Sequence, residues 1–180
     1  KHGGCEHLLC YFDPETLEKM SIGDTIDVRT QGQGMKLLDY PEILLRNMSP
    51  ALLEKMNITE KDGKLTVGVA KIVPGCIMGS GLGASTSYYG DYDITLHDKQ
   101  ICQQYGLDQL RFGDIVAIQD ADTRYGRNFI TGAITIGVVV HSDCILSGHG
   151  PGVTTLMTCK TPLIEPVIDQ SANLADFFLK

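Results

Sequence analysis

Apolar side chains along the chain fall into short runs that predict a structure rich in β-strand. Five segments have the length and apolar content of strands: His7–Phe12, Thr25–Thr30, Lys64–Val73, Ile115–Gln119 and Thr131–Val140. Thr25–Thr30 and Lys64–Val73 alternate between apolar and polar residues, as strands with one buried face do. Thr131–Val140 is almost continuously apolar, which is typical of a strand buried on both faces. We expect Ile134–Val140 to pair with Ile115–Gln119 as its neighbour in a sheet.

Three short helices are predicted between these strands: Pro14–Met20, Pro50–Met56 and Lys99–Tyr105. Asp13 and Ser49 precede the first two, and both residue types accept hydrogen bonds from a helix N-terminus that begins with proline. Gly106 follows the third and can adopt the left-handed conformation that ends a helix. The whole pattern predicts a β-rich α+β fold, with a barrel or sandwich core and short flanking helices.

Composition narrows the class of protein. A length of 180 residues can bury a sizeable core, and we expect residues 1–180 to form a single domain. Hydrophobic residues at 43% exclude a disordered chain, and no apolar run reaches the ~20 residues of a membrane span. The net charge of -7 argues against a nucleic-acid partner, because phosphate contacts need clustered Lys and Arg. We expect a cytoplasmic protein that binds neither nucleic acid nor membrane.

The chain begins at Lys1 and passes directly into the motif His2-Gly3-Gly4-Cys5-Glu6-His7. An ordinary N-terminus frays, so a motif at this position predicts that the chain is the C-terminal major part of a longer or processed protein. A separate N-terminal fragment of the same precursor is then an expected partner.

Acidic side chains that a cation could use occur at the ends of predicted strands. A hard divalent cation takes oxygen ligands from several segments, and one aspartate of each of the pairs Asp91/Asp93 and Asp120/Asp122 together with Asp143 would supply them. We interpret Asp93, Asp120 and Asp122 as the candidate metal ligands. The alternative for each aspartate is a hydrogen bond to turn backbone. We assign Asp91 and Asp93, and likewise Asp120 and Asp122, to opposite faces of their strands, so that only one of each pair enters a given pocket.

Histidines and arginines near the same strands supply the rest of a possible site. His141 or His149 is the candidate general base, and Arg124 or Arg127 is the candidate anchor for an anionic substrate group. The alternative is that both arginines pair with Asp120 and Asp122 and neutralise the loop. A plain hairpin would place His141 a strand length from those acids. A single site would then need a curled sheet or a second subunit, and we expect a homo-oligomer.

The N-terminal motif and a glycine-rich loop add further candidates. His2 and His7 are candidate metal ligands, and Glu6 could orient a neighbouring imidazole or act in acid–base catalysis. In the loop that follows Gly79-Ser80-Gly81-Leu82-Gly83, Ser85 and Thr86 could donate hydrogen bonds to a small ligand.

Several long motifs resemble a prokaryotic family known as domain of unknown function 4438 (DUF4438). They run nearly from end to end: the His2–His7 motif, Gly32–Tyr40, Gly79–Gly83, Gly90–Ile94, Arg111–Ile118, Gly137–Asp143 and Gly148–Thr155. Family members carry an additional segment before the His-Gly-Gly motif, so the resemblance implies a longer protein. It implies no particular activity.

A fainter similarity is to the acetamidase/formamidase family, which hydrolyses amides with the help of a metal. Gly90-Asp91-Tyr92-Asp93-Ile94 and Gly113-Asp114 occur in the same order as in that family, followed by Asp120 and Asp122. The family's His-Gly-Gly-Asn and Gln-Gly-Asp-Gly-Glu runs are absent from this sequence. The similarity implies a β-rich core with inserted helices.

These observations predict a metal-assisted hydrolase that acts on a small amide or a related C–N bond. The expected cofactor is a divalent metal ion, and the expected partner is a small-molecule substrate. The rival hypothesis is a non-catalytic protein that binds a small ligand or forms an oligomeric assembly, in which the same glycines and polar groups only make turns and subunit contacts.

Overall fold

The computed structural model describes residues 12–79, 87–88, 90–143 and 150–179. Nine strands form two sheets in this part of the chain: β1 (Leu44–Leu45), β2 (Ile58–Lys61), β3 (Lys64–Val69), β4 (Lys71–Pro74), β5 (Tyr92–Asp93), β6 (Ile115–Asp122), β7 (Asn128–His141), β8 (Gly152–Cys159) and β9 (Ile164–Ile168). Four short α-helices accompany them: α1 (Pro14–Lys19), α2 (Pro50–Lys55), α3 (Lys99–Tyr105) and α4 (Leu174–Phe178). None of the helices in the described ranges is long and apolar enough to cross a membrane.

The larger sheet is built around strands β6, β7 and β8. Its order is β1-β8-β7-β6-β4, and β5 also pairs with β8. Only β4 and β6 run parallel, and the other neighbours are antiparallel. The smaller sheet has the order β2-β3-β9. The two sheets do not close into a barrel, so the predicted β-rich fold with short helices is confirmed in its sandwich form.

Both faces of the larger sheet are buried, which explains its continuous apolar strands. Ile115 and Ala117 of β6 lie in one core, together with Val67 of the smaller sheet. The intervening residues Val116 and Ile118 lie in a second core on the other face. Since successive side chains of a strand point to opposite faces, a strand covered on both sides must be apolar throughout.

The predicted hairpin and helices are confirmed. In β6 and β7, Ile115 lies opposite Val138 and Gln119 lies opposite Ile134. The side chains of Asp13 and Ser49 accept hydrogen bonds from the first turns of α1 and α2. Gly106 ends α3 with φ of 60°.

Two strand predictions are wrong. Thr25–Thr30 forms no strand, and its apolar side chains are exposed, Val28 by 77%. An alternating pattern needs a partner strand and a core to face, and this segment has neither among the described residues. Lys64–Val73 is divided at Ala70 into β3 and β4, which belong to different sheets. The predicted strand His7–Phe12 lies outside the described residues except for Phe12, which is not in a strand.

The central strand β7 gives a direct test of the core. Ile136 is completely buried in it, whereas Ile168 at the end of β9 is 56% exposed. We expect Ile136→Ala to lower the free energy of unfolding by roughly 2–5 kcal/mol, because it leaves a cavity. The same substitution at Ile168 should change it by less than about 1 kcal/mol. Urea denaturation of both variants measures the difference, and equal losses would contradict this assignment of the core.

Candidate metal centre

Three strands bring acidic and imidazole side chains together around one glycine. Gly152, the first residue of β8, lies opposite Asp93 of β5 on one side and opposite His141 of β7 on the other. Residues that face each other across a strand pair project to the same face of the sheet. Because glycine has no side chain, the two flanking side chains can meet above it.

A bulge at the end of β7 sets the direction of His141. The register between β7 and β8 shifts there, since Val139 lies opposite Val153 whereas His141 lies opposite Gly152. Without the shift, His141 would share the face of Val139, which is packed in the second core. A bulge inserts one extra residue and re-aims the side chains after it. His141 therefore projects toward the two aspartates.

The three side chains are in direct contact. His141 Nε2 lies 2.6 Å from Asp91 Oδ2 and 3.3 Å from Asp93 Oδ1. His141 Nδ1 lies 2.7 Å from the carbonyl oxygen of Ser142. Both aspartates are buried, with 6% and 4% of their surface exposed. Asp91, Asp93 and His141, hereafter the triad, each offer a ligand atom within 4.8 Å of the others.

The main chain of β8 closes one side of the triad. A Cβ atom placed on Gly152 would collide with Asp91 Oδ2 and with His141 Nε2. The space between these atoms therefore exists only because residue 152 is glycine.

Strand β5 is held from both sides, which fixes the two aspartates. Ile94 N donates to Pro151 O at 2.9 Å, and Thr95 N donates to Ile77 O at 2.9 Å. Gly79 N donates to Asp93 O at 2.5 Å. A two-residue strand is too short to be stable alone, so these bonds to neighbouring segments hold it in place.

The carboxylates change the protonation of the histidine. The hydrogen bond to Asp91, followed by the one to Asp93, raises the pKa of His141 to about 10, although burial acts in the opposite direction. The Ser142 carbonyl can only accept a hydrogen bond, so Nδ1 carries a proton. At neutral pH the metal-free triad therefore contains an imidazolium between two carboxylates.

The expectation that Asp91 and Asp93 occupy opposite faces is wrong. Side chains repeat every two residues along a strand, so residues i and i+2 share a face, and it is Tyr92 between them that lies in the second core. The i, i+2 spacing of the aspartates was the signal that could have added Asp91 to the predicted ligand set.

Asp120 and Asp122, at the end of β6, have hydrogen-bond partners outside the triad. Asp122 pairs with Asn128 at the first residue of β7, whereas His141 is the last residue of that strand. Asp122 is buried and accepts two hydrogen bonds from Arg124, whose Nε and Nη2 both lie 2.8 Å from its oxygens. Asp120 accepts a hydrogen bond from Gly132 N at 2.7 Å.

The remaining predicted residues are dispersed. Arg127 donates a hydrogen bond to the carbonyl oxygen of Gly79. Asp143, two residues after His141, is exposed. The other candidates lie outside the described residues: His2, Glu6, His7, Ser85, Thr86 and His149. Of the predicted site residues, the structure thus brings Asp93 and His141 together, whereas Arg124 pairs with Asp122 and Arg127 donates to Gly79, whose own N–H donates to Asp93 O.

Comparison with known families agrees with the motifs in the sequence. The DUF4438 N-terminal model matches residues 1–54, and the DUF4438 C-terminal model matches residues 55–178. The chain belongs to the DUF4438 family. All three triad residues lie in the region matched by the DUF4438 C-terminal model.

A solved structure supports the fold of this DUF4438 chain. The crystal structure of TM1086 is 46% identical in sequence, with a TM-score of 0.87. The alignment covers 98% of this chain and 62% of that one, so the DUF4438 chain described here spans less than two thirds of the length of TM1086. No curated protein matches the chain.

The raised pKa of His141 predicts how the stability of the metal-free protein depends on pH. The folded-state pKa of about 10 exceeds the ordinary value of 6.5. The stability that it contributes is therefore complete below about pH 6.5 and is lost as the pH rises through 10. We expect the difference in unfolding free energy between wild type and His141→Gln to shrink over this range, as measured by urea titration with chelator present. A difference that stays constant from pH 6 to pH 10 would contradict the ion pair.

Proposed function

We propose that the triad binds a divalent metal ion and that the protein is a metal-assisted hydrolase of a small amide or related C–N bond. The observation that carries this proposal is the convergence of Asp91, Asp93 and His141 above a glycine that leaves room for them. Aspartate and histidine side chains from different strands are a common source of metal ligands.

The distances within the triad support this proposal. Two ligands at right angles, each about 2.1 Å from a metal, lie about 3.0 Å apart. The separations of His141 Nε2 from Asp91 Oδ2 and from Asp93 Oδ1, 2.6 and 3.3 Å, fall on either side of that value. Small side-chain movements would be enough for coordination.

The hydrogen bond of His141 to Ser142 is the second supporting feature. A histidine that binds a metal usually donates its other ring N–H to a carbonyl or carboxylate, which fixes the tautomer. Here Nδ1–H donates to Ser142 O and directs Nε2 at the aspartates. A bound cation would replace the proton on Nε2, which in the metal-free protein offsets the charge of one of the two carboxylates.

The donor set indicates the kind of metal. Imidazole favours zinc and other transition metals, and carboxylates favour harder ions such as Mn²⁺ and Mg²⁺. Two carboxylates with one imidazole therefore suit Zn²⁺ or Mn²⁺ better than Ca²⁺, which prefers oxygen ligands alone. Three protein ligands leave positions for water and substrate, as in catalytic rather than structural sites.

A divalent cation in such a site supplies Lewis acidity, which polarises a carbonyl and lowers the pKa of water. In the hydrolysis, the oxygen of water adds to the acyl carbon, the C–N bond breaks, and a proton passes to the leaving nitrogen. In this role His141 is a ligand rather than a free general base, because its Nε2 faces both aspartates. The choice of an amide follows from the motifs shared with acetamidase/formamidase.

The second candidate is a non-catalytic role for the triad. The direct contact of 2.6 Å between His141 and Asp91 favours it, since an imidazolium offsets the charge of one carboxylate without a metal. The triad would then be a structural ion pair that joins β5 to β7. Metal analysis separates the two candidates.

Metal binding is the first test of the proposal. Wild-type protein should bind one Mn²⁺ or Zn²⁺ per chain in calorimetry. Asp91→Asn and Asp93→Asn should each weaken binding by roughly a hundredfold or more, since changes beside a ligand alone cost about 10–100-fold. The control is Asp122→Asn, which removes a buried carboxylate that pairs with Arg124. It should bind metal as wild type does. Stoichiometric metal lost in Asp122→Asn but kept in Asp93→Asn would overturn the assignment.

Turnover is the second test. Metal-loaded protein should release ammonia or amine from members of a panel of small amides. Activity should disappear after chelation and return when Mn²⁺ or Zn²⁺ is added. His141→Ala should be inactive in the same assay. Hydrolysis that persists in protein shown to be free of metal by mass spectrometry would refute the mechanism.

A further inference from the structure

An open groove borders Tyr88, three residues before Asp91 in the chain. It has a volume of about 700 Å³ and is lined by two loop segments, Thr30–Gly34 and Leu45–Ser49, together with Leu52 and Tyr88. A volume of this size accommodates a small organic molecule. We name it the Arg46 groove after the one formally charged side chain that the described part of the chain contributes to its lining.

Arg46 is held in place with part of its guanidinium group available. Its Nε donates to Ser87 Oγ at 3.3 Å, and its Nη1 donates to Leu45 O at 3.0 Å. The guanidinium carbon lies 4.3 Å from the centroid of the Tyr88 ring. Among the described residues, Nη2 has no hydrogen-bond partner. An arginine fixed by stacking and by two hydrogen bonds loses little entropy when it binds an anion.

The backbone that lines the groove next to Arg46 is held in one conformation. Asn47 has φ of 44°, which is unfavourable for a residue other than glycine. Its side chain donates to Thr155 O at 3.1 Å and to Ser87 O at 3.4 Å. Gly32 across the groove has φ of 76°, and a Cβ there would collide with Met48 O. Strained backbone of this kind persists where the surrounding structure requires it.

The covalent chain bounds the distance between the groove and the triad. Tyr88 and Asp91 are three residues apart, so their Cα atoms lie within about 11 Å of each other. A second connection runs through β8, where Thr155 contacts Asn47 and lies three residues, roughly 10 Å, from Gly152. The edge of the groove and the triad are therefore within the length of a small molecule of one another.

We propose that the Arg46 groove binds the carboxylate of the substrate whose C–N bond is hydrolysed at the triad, an inference that rests on the function proposed above. The substrate class is then a small carboxylic acid with an amide a few bonds from its carboxylate, such as an N-acylated amino acid. Arg46 binds the carboxylate, and the amide carbonyl extends toward Asp91, Asp93 and His141.

A carboxylate fits the groove better than a phosphate. Among the described residues that line the groove, Arg46 contributes the only formal positive charge, and the chain as a whole carries a net charge of -7. One guanidinium neutralises one carboxylate group, and the second carboxylate of a dicarboxylate such as succinate can stay in solvent, whereas a phosphate places both of its charges at the same guanidinium.

Binding of succinate and inorganic phosphate to chelator-treated protein, measured by calorimetry, tests the groove without a metal. Succinate should bind to wild type more tightly than phosphate. Arg46→Gln should weaken succinate binding roughly tenfold or more, the usual cost of a charge-assisted hydrogen bond. The control Lys160→Gln removes one positive charge from an exposed position at the end of β8 and should have no effect. Arg46→Lys keeps the charge and should give an intermediate loss even if Arg46→Gln folds poorly.

Paramagnetic Mn²⁺ tests whether the groove and the triad belong to one site. Mn²⁺ at the triad should broaden the proton resonances of bound succinate at a distance of about 10 Å. Asp93→Asn should remove the broadening, because it removes a ligand of the metal. Arg46→Gln should leave Mn²⁺ affinity unchanged.

The outcomes distinguish this inference from the function on which it rests. If Mn²⁺ binds but Arg46→Gln leaves succinate affinity unchanged, or if phosphate binds more tightly, the inference is overturned and the metal centre stands. If succinate binds through Arg46 but no metal binds, both the hydrolase proposal and the role of the groove in substrate binding are overturned. Succinate that binds without any broadening by Mn²⁺ also overturns the substrate role.

Discussion

The register of strand β8 is the constraint on which the rest of the site depends. Its first residue, Gly152, is paired with β5 and β7 at once, so one position decides how Asp93 and His141 meet. Neighbouring strands are about 4.8 Å apart, so these two residues lie on strands almost 10 Å apart. Their side chains span this gap only because the residue between them has none. A slip of one residue in β8 would turn a side chain into the space and abolish the contact.

The two-sided core keeps this register. Strands β6, β7 and β8 bury apolar side chains on both faces, so a slip in any of them would cost contacts in both cores. Buried threonines add a directional constraint: Thr135 Oγ1 lies 2.8 Å from Thr158 Oγ1 and donates to Ala121 O at 2.9 Å. Hydrogen bonds between buried hydroxyl groups require one alignment of the strands, whereas apolar contacts tolerate several.

The parts of the structure that local pattern decides were predictable from the sequence. The capped helix α3 and the β6–β7 hairpin follow from residues close to one another in the chain. The strand prediction at Thr25–Thr30 is wrong because alternating apolar and polar residues show that a segment can form a strand, but not that a partner strand is present. The bulge before His141 arises from pairing with β8, which no pattern within β7 encodes, so the meeting of His141 with Asp91 was not foreseen. The shared face of Asp91 and Asp93 followed from strand periodicity and was overlooked.

The triad joins parts of the chain that are 50 residues apart, since Asp91 and His141 meet only after the sheet has assembled. An unfolded chain offers no preformed site, so any cation that binds here binds the folded state alone and adds its binding energy to folding. The lifetime of the protein in a cell would then follow the supply of that cation. A cell short of such a cation would then lose more of the protein to proteolysis.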